Sequence, residues 1–376
     1  MRKFAELRSI RIAAIGLLSF LVSGVAKAQD SIRINLEQAL EIALSDNPTV
    51  KVADNTIELK KFAKYESIGA LLPNISLNGS FTDNLKLQKM KLDFSPEPIS
   101  MGQQYTITGN VNLSLPLVAP QLWKTVQLSE EELKLSLEQA RSSKIDMISS
   151  VKNAYYSLLL AQDAYKTLLS GYNNAALNAK TVTDKYNQGL VSEYDKLVAD
   201  VQLRNQKPQV VNGENAVRLA KLQLKVLMGI DVNAPIIFEG DLADYEAEMF
   251  ADLMKLQSDT SLVDNSTLKQ FDIQERQLKL AKKINLLGYA PTLSLSLNYG
   301  YQGMDKTLHL KDYYWSAGSA LGLTLSIPIF SGGQKYFKNK QNNISLLNLQ
   351  LQRENTERQL ALSVTNSLDN IQTAVE

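Results

Sequence analysis

The residues from Gln121 to Gln188 limit the fold most. They contain no proline and one glycine, Gly171. Ile148, Val151, Tyr155, Leu158, Gln162, Tyr165, Leu169, Tyr172, Ala176 and Ala179 follow one another in steps of three and four. That spacing predicts a helix packed along its length against other helices. At a rise of 1.5 Å per residue it would reach roughly 100 Å, far beyond the ~11 residues of an average helix. The stripe stops at Tyr186-Asn187-Gln188-Gly189-Leu190-Val191, where glycine can take a left-handed cap. A second helical pattern then runs from Val191 to about Met228, predicting a long antiparallel hairpin. Pro208 is expected to kink or divide the return arm.

Composition narrows the function classes. The 376 residues carry 40 Lys and Arg against 39 Asp and Glu, which leaves no field to favour nucleic acid. No cysteine and a single histidine, His309, remove disulfides, thiol catalysis and cysteine-based zinc sites. His309 is expected in an exposed loop. Gly332-Gly333 reads as a strand-to-helix turn and lacks the lysine of a phosphate loop. Asp241 and Asp244 have no partner base. No catalytic, cofactor-binding or metal site is expected.

The first 28 residues read as an export signal. Arg2, Lys3, Arg8 and Arg11 precede an apolar run from Ile12 to Val25, and Ala26-Lys27-Ala28 is a cleavage site. No later run is long and apolar enough for a membrane helix, so membrane entry would require a β-barrel.

Helices are predicted over 36–71, broken at Asp46-Asn47-Pro48 and ended by Pro73. Beyond Pro73 the period changes to two. Ile75, Leu77, Gly79 and Phe81 alternate with Asn74, Ser76, Asn78 and Ser80, and Tyr105, Ile107, Val111, Leu113 and Leu115 repeat the pattern. This predicts a half-buried hairpin with strands over 74–88 and 104–116, joined by a loop around Ser95 to Pro98. Each strand has the ~9–11 residues of a tilted membrane-spanning strand. Pro116 and Pro120 are expected to close the second strand and admit the long helix. The alternation also suits a soluble sandwich. A mixed segment over 230–257 follows the return helix.

The unit then recurs at an offset of 218 residues, with Ala290-Pro291-Thr292-Leu293-Ser294-Leu295 echoing Leu72-Pro73-Asn74-Ile75-Ser76-Leu77. The second repeat, 258–376, is expected to place strands over 292–302 and 315–329 and a long helix from 333. It is expected to be incomplete, lacking its turn and return helix, either as a fragment or as a truncated natural product. A chain ending there is expected to be leaky, misassembled or degraded rather than a normally gated assembly.

These residues carry a resemblance. Leu36-Glu37-Gln38-Ala39-Leu40, the two strand entries, Leu113-Ser114-Leu115-Pro116, Tyr186-Asn187-Gln188-Gly189-Leu190-Val191 and Leu325-Ser326-Ile327-Pro328-Ile329-Phe330-Ser331-Gly332-Gly333 occur in this order. The chain thus resembles the outer membrane efflux protein family, the TolC-like channels, over nearly everything after the signal. The resemblance implies a mixed fold of long α-helical coiled coil plus transmembrane β-strands. Four strands per chain would contribute to a trimeric 12-stranded barrel in the outer membrane, and the helices to a periplasmic tunnel. Four strands are too few to close a channel within one chain, which points the same way.

The resemblance also implies passive exit for substrates supplied by an inner-membrane pump through a periplasmic adaptor protein, in small-molecule efflux or protein secretion. It places the tunnel's narrow tip at Tyr186, Gly189, Ser192, Glu193 and Asp195, and strand boundaries at Pro73, Pro116, Pro291 and Pro328. The alternative reading is a periplasmic coiled-coil adaptor or scaffold without a barrel.

Overall fold

A computed structural model describes residues 32–91, 98–245 and 262–375. Residues 1–31, 92–97, 246–261 and 376 lie outside them, and with them the expected export signal and parts of the expected loop around Ser95 and of the mixed segment over 230–257. The described residues divide between two compact units. One holds the chain through Pro48 together with Asp146–Asp252; the other holds Thr49–Ile145 and Leu253–Glu376.

In the first unit, β1 (Ile32–Ile34) leads into α1 (Leu36–Asp46), which is capped by Asn35 and Gln38 in a reciprocal box. The long helix α3 (Pro120–Asn187) enters this unit at Asp146, and α4 (Glu193–Leu227) returns from its end. The expected hairpin is present. Pro208 does not divide α4, which continues through it for 35 residues. An interior proline removes one hydrogen bond at about 3 kcal/mol, and a helix fixed by caps at both ends bears that. The tight core is more local than the even stripe implied. Val151, Tyr155, Leu158 and Leu159 are fully buried, whereas Leu169 is exposed.

The core closes on a strand pairing that the sequence did not reveal. β6 (Ile236–Phe238) pairs in parallel with β1. Tyr155 Oη donates to the carbonyls of Ile34 (3.3 Å) and Glu239, and its ring meets Phe238 edge-on. Burial pushes the Tyr155 hydroxyl pKa up. Asn47 is more than a helix breaker, since its Nδ2 donates to Leu227 O at 2.7 Å. Gly229, with φ +69°, ends α4 through bonds from its own N–H to Val226 O and from Ile230 N to Lys225 O.

The second unit is built on one sheet. β2 (Asn74–Asp83), β5 (Tyr105–Val118), β7 (Thr292–Asp305) and β8 (Tyr314–Ser326) form an antiparallel sheet in the order β2-β5-β7-β8. The short pair β3 (Gln88–Met90) and β4 (Ile99–Met101) lies in the first hairpin's loop. The expected bounds shift in four places. The first strand stops at Asp83, short of 88. The second passes through Pro116 to Val118, with an irregularity between them. The third extends to Asp305, and the fourth ends at Ser326, so Pro328 lies beyond it. Pro116 is tolerated because β2 starts at Asn74, opposite Ser114, so β5 has no neighbour on that side at Pro116.

The helices continue the order of the strands. α2 (Pro48–Gly69) feeds β2, β5 feeds α3, α5 (Ser266–Leu287) feeds β7, and β8 feeds α6 (Gln334–Val375). Within this unit α2 lies against α3 through Asp54–Lys144, Lys60–Glu132 and Lys64–Glu130. α3 meets α5 through Glu131–Arg276 and a bond from Gln121 to Ile284 O. α5 meets α6 through Asp272–Arg353 and a bond from Asn285 to Lys335 O. The helical layer therefore runs α2-α3-α5-α6, antiparallel like the sheet. Burial alone would raise the Glu131 carboxyl, but hydrogen bonds from Lys134 and Arg276 outweigh it and hold the group below the usual range.

Candidate functional site

Strand register decides what the sheet presents. The pairings set Ile75, Leu113, Leu297 and Leu321 in one row, and Leu77, Val111, Tyr299 and Ser319 in another. Because side chains alternate between faces, the intervening rows lie on the opposite side. There Ser76, Asn112, Asn298 and Ala320 align, and Ser80, Thr108, Gln302 and Ser316 align. Asn298 bonds Asn112, and Ser80 bonds Thr108 at 2.6 Å. One face is thus apolar, while the other is polar and uncharged.

The expected half-buried pattern is absent. β2 is exposed along its whole length on both faces, and β8 at every residue but Gly322. The reason is that among the described residues no second layer covers the sheet, and each of these strands has a neighbour on one side only.

Aromatic side chains collect on the apolar face at the loop end. Phe81 stacks on Tyr105 with ring centroids 6.1 Å apart, and Tyr301 on Trp315 at 5.2 Å. Trp315 lies across Gly303, its cross-strand partner, where an added Cβ would come within 2.8 Å of the ring. Any side chain at 303 would have to displace that ring. Among the described residues no helix is long and apolar enough to cross a membrane.

The second candidate region is the turn between α3 and α4. Gly189 takes φ +76°, its N–H bonds Tyr186 O, and Leu190 N bonds Lys185 O. Ser192 then caps α4: its Oγ accepts from Asp195 N at 3.2 Å, while Asp195 Oδ2 accepts from Ser192 N at 3.1 Å. The same carboxylate oxygen accepts a hydrogen bond from the Ser192 hydroxyl at 2.6 Å. These bonds, the hydroxyl's first, hold the Asp195 carboxyl below its ordinary 3.8. The cap is therefore complete above that value and weakens as pH falls through the lower folded one.

Asp195 is thus occupied in its own cap. Glu193 forms no ion pair among the described residues. Lys196 Nζ sits 5.0 Å from the centre of the Tyr186 ring, a bracket across the turn that the sequence analysis missed. Leu190 and Tyr194 are exposed. The structure brings Tyr186, Gly189, Ser192, Glu193 and Asp195 into one turn. Pro73 and Pro291 sit at strand entries in the other unit, Pro116 lies inside a strand, and Pro328 lies past one. No group of three or more His, Cys, Asp or Glu side chains among the described residues is placed to hold a metal ion.

Comparison with known proteins agrees with this architecture. Residues 39–230, just over half of the chain, match the family described as outer membrane efflux protein. The chain belongs to that family. The outer membrane protein TolC of Vibrio cholerae serotype O1 is 20% identical over 342 residues, 88% of this chain and 70% of that protein. TolC of Salmonella enteritidis is 22% identical over 360 residues, 91% of this chain and 68% of that protein. Among solved structures, the Campylobacter jejuni CmeC outer membrane channel superposes with a TM-score of 0.65 at 18% identity, covering 90% of this chain and 73% of that one. VceC of Vibrio cholerae gives 0.66 at 15% identity, covering 90% and 78%. The fold is therefore that of the TolC-like channels, and this chain is an outer-membrane channel component of efflux systems. Members of the family are channels rather than enzymes and work with adaptors and pumps.

Proposed function

We propose that three copies of the chain close into one 12-stranded barrel that gives passive exit through the outer membrane. The observation that carries this reading is the four-stranded sheet with one apolar face, one uncharged polar face and two open edges. Open strand edges cannot face lipid, and an even number of antiparallel strands closes a barrel. β2 and β8 run in opposite directions, so β8 of one copy can pair antiparallel with β2 of the next. This head-to-tail contact closes when the rotation closes. The helical edges support the same ring. Val52, Leu59 and Phe62 on α2, and Phe337, Ile344 and Leu351 on α6, expose apolar side chains at helical spacing.

The native absence of cysteine gives a clean test. Ser76→Cys combined with single cysteines along β8 is expected to yield disulfide-linked species that stop at the trimer. No linkage at any register, or a ladder continuing past three copies, would refute the ring.

In this reading residues 1–28 direct export, the chain does no chemistry of its own, and energy comes from an inner-membrane pump reached through a periplasmic adaptor. The turn from Tyr186 to Asp195 forms the narrow tip. Three copies of Glu193, whose carboxylate is not engaged by the cap, line it and favour cations, while Asp195 fixes the turn's geometry. Glu193→Gln is expected to lower the cation preference of the pore severalfold. Asp195→Asn is expected to disturb gating more than selectivity. Unchanged ion selectivity in Glu193→Gln would remove the tip role.

A further inference from the structure

The helix ends beside the sheet carry a charge asymmetry that ion pairing does not explain. The chain as a whole is balanced, with a net charge of +1. Yet residues 105–129, 276–304 and 313–353 contain no Asp or Glu. In the same segments the helix ends carry Lys124, Lys282, Lys283, Lys335, Lys338 and Lys340, and none of the six forms an ion pair among the described residues. Elsewhere in the same unit lysines do find carboxylates, as Lys60, Lys64, Lys134 and Lys144 show.

These ends meet in space. Gln121 on the first turn of α3 bonds Ile284 O at the end of α5, and Asn285 bonds Lys335 O at the start of α6. Lys335 is committed to structure, bonding Gly288 O and lying over the Tyr289 ring at 4.8 Å. Lys338, Lys340 and Lys283 are exposed. The helix dipole is no explanation for those on α6. Lys335, Lys338 and Lys340 lie in its first two turns, where cations are disfavoured and no acidic residue offsets them. Trp123, Tyr289 and Tyr336 are about half exposed at the same level, the residue types that sit among lipid headgroups.

We infer that this basic belt binds the phosphates of anionic phospholipid headgroups in the leaflet facing the helices. The inference rests on the reading of the sheet as the membrane-spanning wall. Attraction of about 1 kcal/mol per lysine near an anionic surface makes several lysines together selective for charged over zwitterionic lipid.

The chain has two tryptophans, so Trp315→Phe leaves Trp123 as a single reporter beside the belt. In this background the full chain is reconstituted in mixed phosphatidylglycerol and phosphatidylcholine bilayers, with one lipid at a time brominated. Quenching of Trp123 is expected to show at least about fivefold preference for phosphatidylglycerol, reduced by salt. Lys282→Gln with Lys283→Gln, and Lys338→Gln with Lys340→Gln, should each lower the preference, and all four together should bring it near one. The same number of changes at Lys152, Lys180, Lys207 and Lys221 should leave it intact. Quenching by both lipids without preference, or equal loss in the control variant, would overturn the belt while leaving the membrane wall standing. No quenching by either lipid would overturn both.

Discussion

Leu297→Arg is expected to remove the chain from the outer membrane, while Ser296→Arg, one residue away, leaves it there. Leu297 lies on the apolar face in the row of Ile75, Leu113 and Leu321, and Ser296 lies on the opposite face beside Ser114 and Gly322. An arginine facing lipid near the middle of a barrel wall costs about 2–4 kcal/mol, and the proposed ring of three copies would incur it three times. On the polar face the guanidinium meets water and alters only the charge of the pore. Fractionation of cells expressing each variant checks the first outcome, and ion selectivity of the Ser296→Arg pore checks the second. Equal accumulation of both variants would mean that the two faces do not see different solvents.

The second large effect concerns Gly229. Gly189 and Gly229 end their helices in the same way, at φ +76° and +69°. An L-residue in that conformation costs roughly 1–2 kcal/mol wherever it stands. The surroundings differ. A Cβ on Gly189 has open space, whereas one on Gly229 would lie 2.8 Å from Asp46 O and 3.1 Å from Asn47 Cα. Backbone must move to admit it, and the junction that moves also holds the Asn47 bond to Leu227 O. Overpacking of this kind adds about 1–3 kcal/mol. Gly229→Ala is therefore expected to lower the thermal midpoint well below that of Gly189→Ala, measured by helical circular dichroism of the detergent-solubilised chain. Equal midpoints would show that the contact gives way without cost.

Much of this was legible in the sequence because periodicity is local. The 3–4 stripe marked α3, the change to period two at Pro73 marked the sheet, and the internal offset announced a second hairpin. Gly189 and Gly332-Gly333 read correctly as turns, and Gly189 takes the left-handed conformation expected of a cap, at φ +76°. What escaped depends on partners distant in sequence. The pairing of β1 with β6 joins residues about 200 positions apart and involves three residues on each side, too few for a pattern. Exposure of β2 and β8 on both faces follows from their place at the sheet edges, which alternation does not encode. Pro116 lies within β5 only because β2 begins two residues short of it. In the turn between α3 and α4, Ser192 and Asp195 have the spacing of a capping box. That spacing is local, whereas the approach of Lys196 to the Tyr186 ring exists only in the folded turn.

The central claim is that the sheet separates lipid from a water-filled channel, and a cysteine scan of β7 tests it most directly. Single cysteines at Leu293, Ser294, Leu295, Ser296, Leu297, Asn298, Tyr299, Tyr301 and Gln302 would be exposed, in intact outer membranes, to a membrane-impermeant thiol reagent. The native chain supplies no background thiol. Labelling is expected to alternate with period two, strong at Ser294, Ser296, Asn298 and Gln302 and weak at the leucines and tyrosines between them. Uniform labelling at every position would mean that both faces meet water, and the channel reading would fall.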